Sequence, residues 1–167
     1  MQKNNIFKFT IFIIFSILLV FLDQITKFVA KNTFINNPKV LIKNVLEFSY
    51  TENTGAAFGV LKNQFAFFYI ITILVILFIL FFVYKTDFSS KYLPIIFSIL
   101  LIFSGSIGNL IDRIKNNYVI DFIYFKIIDF PLFNLADTYI TIGASLIIIL
   151  FLFFYKEEDF NYVFKSK

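Results

Sequence analysis

Two aspartates, Asp121 and Asp137, are the residues of this chain best suited to chemistry. Each stands beside the end or the start of an apolar segment of membrane length, where a carboxylate is costly unless it is paired or functional. The chain has no histidine and no cysteine, which excludes thiolate nucleophiles, Ser-His catalysis and the commonest metal ligands. The two carboxyl groups are therefore the obvious acid and base.

Asp121 lies in the apolar segment from Tyr118 to Ile123, and a carboxylate in such surroundings needs a partner. If Asp137 is that partner, both groups cannot ionise easily and will share a proton near neutral pH. Peptide hydrolysis needs this state, because the ionised aspartate activates a water while the protonated one polarises the scissile carbonyl. The pair therefore predicts an aspartic peptidase dyad.

The composition indicates an integral membrane protein. Of the 167 residues, 59% are hydrophobic and only 16% are charged, whereas soluble domains carry about 25% charged residues. The mean hydropathy is +0.83. The formal charge of +4 fits contact with anionic lipids and gives no indication of a nucleic-acid partner.

Four apolar segments are near the ~20 residues that a helix needs to cross a bilayer. They run from Ile6 to about Ala30, Phe65 to Val83, Leu93 to Ile111 and Thr138 to Tyr155. We therefore predict an all-α integral membrane fold, a single domain over residues 1–167 with both termini on one side. Basic residues divide evenly between the two sides, but the inner segments are shorter and carry them more densely, which favours cytoplasmic termini.

The two long loops, residues 31–64 and 112–137, are expected on the outer side and contain predicted strands. Apolar and polar residues alternate from Leu46 to Thr51, and the segment from Tyr118 to Ile128 is rich in β-branched and aromatic residues. These patterns predict a small extracytoplasmic β subdomain. The topology also brings the loop with Asp121 and the helix start with Asp137 to the same membrane face.

The polar residues of the first and third helices can have purely structural roles. Asp23 and Lys27 are four residues apart on one helix face and are expected to form an ion pair that orients the helix. In the third helix a polar stripe of Asn109, Asp112 and Arg113 can be an interfacial cap with a local Asp-Arg pair.

Small residues in the third helix and a capping pattern before the fourth also have structural explanations. Ser104-Gly105-Ser106 and Gly108 form a surface that allows close helix packing. Asn134 lies one turn before Asp137, so these two can simply be an N-cap and an acid that complements the helix dipole.

Five ordered blocks of sequence strongly resemble the bacterial lipoprotein signal peptidases, also called signal peptidase II. The blocks are Asp23–Lys27, Asn53–Phe58, Gly108–Arg113, Val119–Phe122 and Phe133–Asp137. The resemblance implies an aspartic endopeptidase of the cytoplasmic membrane, with its active site toward the extracytoplasmic face. Such an enzyme removes signal peptides from prolipoproteins, just before a cysteine that already carries diacylglycerol.

The resemblance also implies roles for individual residues. Asp121 and Asp137 match the catalytic dyad, and the expected substrate-binding residues are Asn53, Gly55, Asn109, Arg113 and Asn134. Structural support is expected from Asp23, Lys27 and Asp112, the last by orienting Arg113. No metal or cofactor is expected, because aspartic chemistry needs only water. The expected partners are lipid-modified prolipoproteins and membrane lipids, and the chain is expected to act as a monomer.

Two other functions are compatible with some of these residues. A small proton-coupled transporter would also carry intramembrane Asp, Lys and Asn, but it would usually need more spans and inverted repeats, and the sequence has none. A serine-lysine peptidase could use Ser49, Ser104 or Ser106 with Lys27 or Lys43, although none of these stands in a distinctive motif.

Ser104 and Ser106 also depart from the small, hydroxyl-free residues that are usual in the family.

Overall fold

Four helices in the described part of the chain are long and apolar enough to cross a membrane. The structure is a computed structural model and describes residues 3–56, 60–86 and 88–160. The helices are α1 (Lys3–Phe34), α2 (Phe65–Lys85), α3 (Leu93–Asn116) and α4 (Leu135–Phe153). A sheet is formed by β1 (Lys39–Ile42), β2 (Leu46–Asn53) and β3 (Val119–Phe125). The predicted fold class is confirmed.

The helix ends depart from the predicted ends where tertiary contacts replace lipid. α1 continues to Phe34 because Ala30 and Phe34 are buried against Phe122 of the sheet. α4 begins three residues earlier than predicted, because Asn134 caps it. Hydropathy reports only the part of a helix that faces lipid, so it locates the spans and not their ends.

Helix α3 is the centre of the bundle. In its most apolar stretch 61% of the residues are buried, compared with 17% in each of the other three helices. A Cβ on Gly105 would collide with the carbonyl oxygen of Ala136, and one on Gly143 would lie 2.6 Å from the carbonyl oxygen of Ser98. The predicted small-residue contact is therefore confirmed, and it brings the backbones of α3 and α4 together.

The sheet is antiparallel and has the order β1-β2-β3. Thr51 lies opposite Asp121 and Asn53 lies opposite Val119, so the end of β2 runs beside the start of β3. The backbone of Ile123 also exchanges hydrogen bonds with Phe133, at 2.9 and 3.0 Å. This pairing fixes the segment before α4 against β3. Strand β1 was not predicted, since its four residues are all exposed and show no alternation.

We expect Gly105→Ala to destabilise the protein, because the new methyl group would meet Ala136 and would lie 2.8 Å from Cγ1 of Ile140. Overpacking of this kind costs about 1–3 kcal/mol. The measurement is the thermal unfolding midpoint of the purified protein in detergent. Ser145→Ala, at an exposed position of α4, is the matched control and should leave the midpoint unchanged. Equal midpoints for the two variants would show that the α3–α4 contact tolerates a side chain at residue 105.

Candidate active site

The start of α4 positions Asp137 through a reciprocal cap. The backbone of Asn134 is extended, and its side-chain Oδ1 accepts a hydrogen bond from the N–H of Asp137 at 2.9 Å. The carboxylate of Asp137 in turn accepts from the N–H of Asn134 at 3.2 Å. Such a capping box satisfies two N–H groups that a helix start leaves without partners. The prediction that Asn134 is an N-cap is therefore confirmed. The carboxylate of Asp137 takes part in the cap and also lines a cavity.

Strand β3 positions Asp121, whose side chain is only 2% exposed. Its Oδ1 accepts from Nδ2 of Asn134 at 2.7 Å, and its Oδ2 accepts from Nδ2 of Asn53 at 2.9 Å. Asn53 is oriented by the N–H of Gly55, which donates to its Oδ1 at 2.9 Å. Ala57 and Phe58, the last residues of this sequence block, lie outside the described residues.

Asn109 of α3 completes the surroundings of the two aspartates. Its Nδ2 donates to Oδ1 of Asp137 at 2.7 Å, and its Oδ1 accepts from Nδ2 of Asn134 at 3.2 Å. Asn134 therefore contacts Asp121, Asp137 and Asn109. The sequence predicted that Asp121 and Asp137 reach the same membrane face, and the structure brings both together with Asn109 and Asn134 at one end of the bundle.

Burial and charge act together on Asp121. Burial, and after it the nearby charge of Asp137, raise the pKa of this carboxyl from its ordinary value of 3.8 to about 7. The hydrogen bonds from Asn53 and Asn134 act in the opposite direction on that pKa, but they are weaker. Near neutral pH the pair therefore includes one carboxyl that readily holds a proton.

Arg113 lies in the wall of the same cavity. Its guanidinium is 4.5 Å from the ring centroid of Phe68, and Nη2 donates to the carbonyl oxygen of Gly55 at 3.3 Å. The hydroxyl of Tyr69 donates to the carbonyl of Arg113 at 2.8 Å. Arg113 thus connects α2 to the loop after β2. Sequence reasoning missed the part played by Phe68 and Tyr69, because aromatic residues are too common in this chain to stand out.

A second polar cluster lies behind the aspartate pair. Lys27 forms ion pairs with Asp23 at 2.9 Å and with Asp112 at 3.0 Å, and all three side chains are almost completely buried. Asp112 also accepts from the N–H of Ile120 at 3.1 Å. The expected pair of Asp112 with Arg113 is therefore wrong, because Asp112 faces α1. One helical turn of α3 directs the two neighbouring residues to different partners.

The cavity has a volume of about 490 Å³ and two different ends. Its polar end holds Asp121, Asp137, Asn109 and Arg113, while the rest is mainly apolar and is lined by side chains of β3, the loop before α4 and the outer face of α4. The apolar residues include Phe125, Ile128, Phe130, Leu132, Ile140 and Ile142. Over residues 3–56, 60–86 and 88–160, no group of three or more acidic side chains is arranged to hold a metal ion.

Two carboxyls that share one asparagine as hydrogen-bond donor, with one of them strongly buried, form the kind of pair that an aspartic peptidase uses. Here the pair lies in a bundle of four membrane-length helices. The fold and the site therefore define the class of membrane aspartic peptidases.

Comparison with known proteins agrees with this class and narrows it. The family model described as Signal peptidase (SPase) II matches residues 15–153. A lipoprotein signal peptidase of Clostridium tetani is 44% identical over 153 residues, which cover 89% of this chain and 95% of the relative. One of Streptococcus pyogenes is 38% identical over 155 residues, which cover 92% and 99%.

Solved structures give the same result. A structure described as a bacterial membrane enzyme, obtained by the in meso method at 2.3 Å resolution, has a TM-score of 0.77 and 35% identity, covering 95% of this chain and 93% of that one. Another, at 1.9 Å, has a TM-score of 0.76 and 36% identity, covering 87% and 95%. The chain belongs to the signal peptidase II family.

The raised pKa of Asp121 predicts a pH-dependent stability. Because its folded-state pKa of about 7 exceeds the ordinary 3.8, its contribution is fully present below about pH 4 and is lost as pH rises through about 7. The unfolding midpoint of the wild type, minus that of Asp121→Asn, should therefore decrease between pH 5 and pH 8. Groups common to both proteins cancel in this difference. A difference that stays constant with pH would contradict the raised pKa.

Proposed function

We propose that this chain is a membrane aspartic endopeptidase that removes signal peptides from diacylglyceryl-modified prolipoproteins, cutting before the lipidated cysteine. The observation that carries the proposal is the pair of Asp121 and Asp137, connected through Asn134 at the polar end of a largely apolar cavity. Membership of the signal peptidase II family supports the same reaction.

The two carboxyls take different roles in the proposed reaction. Asp137, in its ionised form, removes a proton from the attacking water, and Asp121, protonated, donates a hydrogen bond to the scissile carbonyl. When the tetrahedral intermediate collapses, the C–N bond breaks and the proton that Asp137 took from water passes to the leaving amine. The pair then returns to its singly protonated state. Asn53, Gly55 and Asn109 supply the polar groups that hold the substrate backbone.

The apolar part of the cavity suits the lipid on the substrate. Acyl chains contribute about 0.8 kcal/mol per buried methylene, so a few methylenes against the side chains of α4 would add substantially to the affinity. The acyl chains then fix where the following peptide bond lies relative to the dyad. Arg113 lines the cavity and donates to the carbonyl oxygen of Gly55, so its guanidinium is available to either the peptide or the lipid.

We further propose that the chain lies in the cytoplasmic membrane with its site on the extracytoplasmic side and both termini in the cytoplasm. Two contacts support this arrangement, because they hold the start of α1 and the segment after α4 beside the connection between α2 and α3, opposite the site. Lys8 donates to the carbonyl of Phe88, between α2 and α3, and Tyr155 donates to the carbonyl of Lys91. One chain contains both carboxyls and the whole cavity, which favours a monomer surrounded by membrane lipids.

The two alternative functions are less well supported. The family of this chain gives no support to a proton-coupled transporter. For the serine-lysine mechanism, Lys27 is engaged with two carboxylates. The hydroxyl of Ser104 donates to the carbonyl of Leu100 at 2.7 Å within its own helix, which also gives this unusual hydroxyl its partner.

We expect Asp121→Asn and Asp137→Asn each to abolish cleavage of a lipidated precursor, because each role needs an ionisable carboxyl and the amide keeps the shape. Both variants should still insert into membranes and accumulate. The measurement is release of the signal peptide by the purified variants. Asp129→Asn, an exposed acid after β3, is the control and should cleave at the wild-type rate. Substantial turnover by either dyad variant would remove that residue from the mechanism.

We also expect a precursor whose target cysteine is changed to alanine to remain uncleaved. Without acyl chains the peptide loses the apolar contacts that place its scissile bond at the dyad. The measurement compares cleavage of the lipidated and the alanine precursors in the same membranes, with Asp137→Asn enzyme as the blank. Equal rates for the two precursors would show that the lipid takes no part in recognition.

A further inference from the structure

Lys27 makes one contact that an ion pair alone does not require. Its ammonium group, 1% exposed, pairs with Asp23 and Asp112 and also donates to Oδ1 of Asn109 at 2.9 Å. An ammonium has three N–H donors, so two can be donated to the adjacent carboxylates and the third is donated to a neutral amide. That amide belongs to a residue that contacts the dyad.

The contact determines which way the carboxamide of Asn109 points. Its Oδ1 accepts from Lys27 at 2.9 Å and from Asn134 at 3.2 Å, while its Nδ2 donates to Asp137 at 2.7 Å. A carboxamide rotated by half a turn would place its NH₂ group against the ammonium and the Asn134 amide. Its oxygen would then face a carboxylate oxygen. All three contacts would become repulsive.

We propose that Lys27 is a positioning residue for the reaction, which holds the Asn109 carboxamide with its N–H group on Asp137 and thereby fixes where the Asp137 carboxylate lies beside Asp121. This inference rests on the proposed function. A misplaced catalytic group lowers the rate of the chemical step more than it lowers substrate binding. Loss of the contact from Lys27 would let the Asn109 carboxamide rotate, and Asp137 would then lose the donor that holds it in place.

The asymmetry of the pair agrees with this role. Asp121 is the more deeply buried carboxyl, and its raised pKa marks it as the group that holds the proton. Charged and titratable groups surround the site from several elements: Arg113 of α3 lies near both carboxyls of the dyad, Asp23 and Asp112 pair with Lys27 of α1, and Tyr139 of α4 lies near Asp23. Among them, Lys27 is the one that reaches Asp137 through a single carboxamide.

The test compares two proteins that differ only at Lys27. Lys27→Met alone leaves Asp23 and Asp112 uncompensated and can prevent folding, so the change is also made in an Asp112→Asn background, where the charge of the cluster returns to its wild-type value. Each purified variant is first checked for its unfolding midpoint. Cleavage of a lipidated precursor is then measured from pH 5 to pH 9.

We expect kcat of Lys27→Met/Asp112→Asn to fall about tenfold below that of Asp112→Asn across this pH range, while KM changes little. Lys27→Arg, which keeps a donor for Asn109, should retain most of the wild-type kcat. Asp23→Asn should lower the unfolding midpoint with a much smaller loss of kcat, because the contact between Lys27 and Asn109 remains.

A double-mutant cycle gives the decisive control. If Lys27 acts through Asn109, Lys27→Met should cause no further loss of kcat in an Asn109→Ala background. A folded Lys27→Met/Asp112→Asn protein with the same kcat as Asp112→Asn, or fully additive losses in the cycle, would overturn the inference. Failure of the wild type to cleave the precursor would instead overturn the proposed function, so the two failures are distinguishable.

Discussion

Four carboxyl groups lie near the ammonium of Lys27 at the site end of an apolar bundle, and that ammonium contacts only two of them. Lys27 contacts Asp23 and Asp112 at 2.9 and 3.0 Å, whereas Asp121 and Asp137 receive hydrogen bonds from neutral amides and backbone N–H groups. A cation in direct contact with the dyad would favour ionisation of both its members. Neutral donors satisfy the oxygens and leave the pair able to retain the one proton that the proposed mechanism requires.

The cluster of Asp23, Lys27 and Asp112 also fixes the helix that carries Asp137. Gly108 has no side chain, and a Cβ there would lie 2.5 Å from Oδ2 of Asp23. Asp23 therefore reaches past α3, and its Oδ1 accepts from the N–H of Ala136 at 2.9 Å. The first turn of α4 is thus held by Asn134 from within and by Asp23 from another helix. A carboxylate on a turn held in this way has little freedom to leave its position.

The sequence was sufficient for the four helices, for two of the three strands and for the choice of the two aspartates, because each depends on local chemistry. Apolar length predicts the spans, and a carboxylate in an apolar segment such as the one around Asp121 indicates a partner. It was insufficient for contacts between elements. The pairing of Lys27 with Asp112 joins residues 85 positions apart in the sequence, and the spacing of Asp112 beside Arg113 favoured a different partner. The apolar part of the cavity was equally hidden, since Ile128 and Phe130 resemble every other apolar residue of this chain.

Asp121 and Asp137 also differ in how far water can reach them. Asp121 is 2% exposed and sits on a strand between β2 and the segment before α4, so its surroundings favour the uncharged form. Asp137 is partly exposed and lines the cavity, so water can reach it. A general base must be within hydrogen-bond reach of the water that it activates, and this access suits Asp137 to the base of the proposed mechanism. Asn109 holds its carboxylate at 2.7 Å, so the different surroundings of the two carboxyls follow from where each is anchored in the fold.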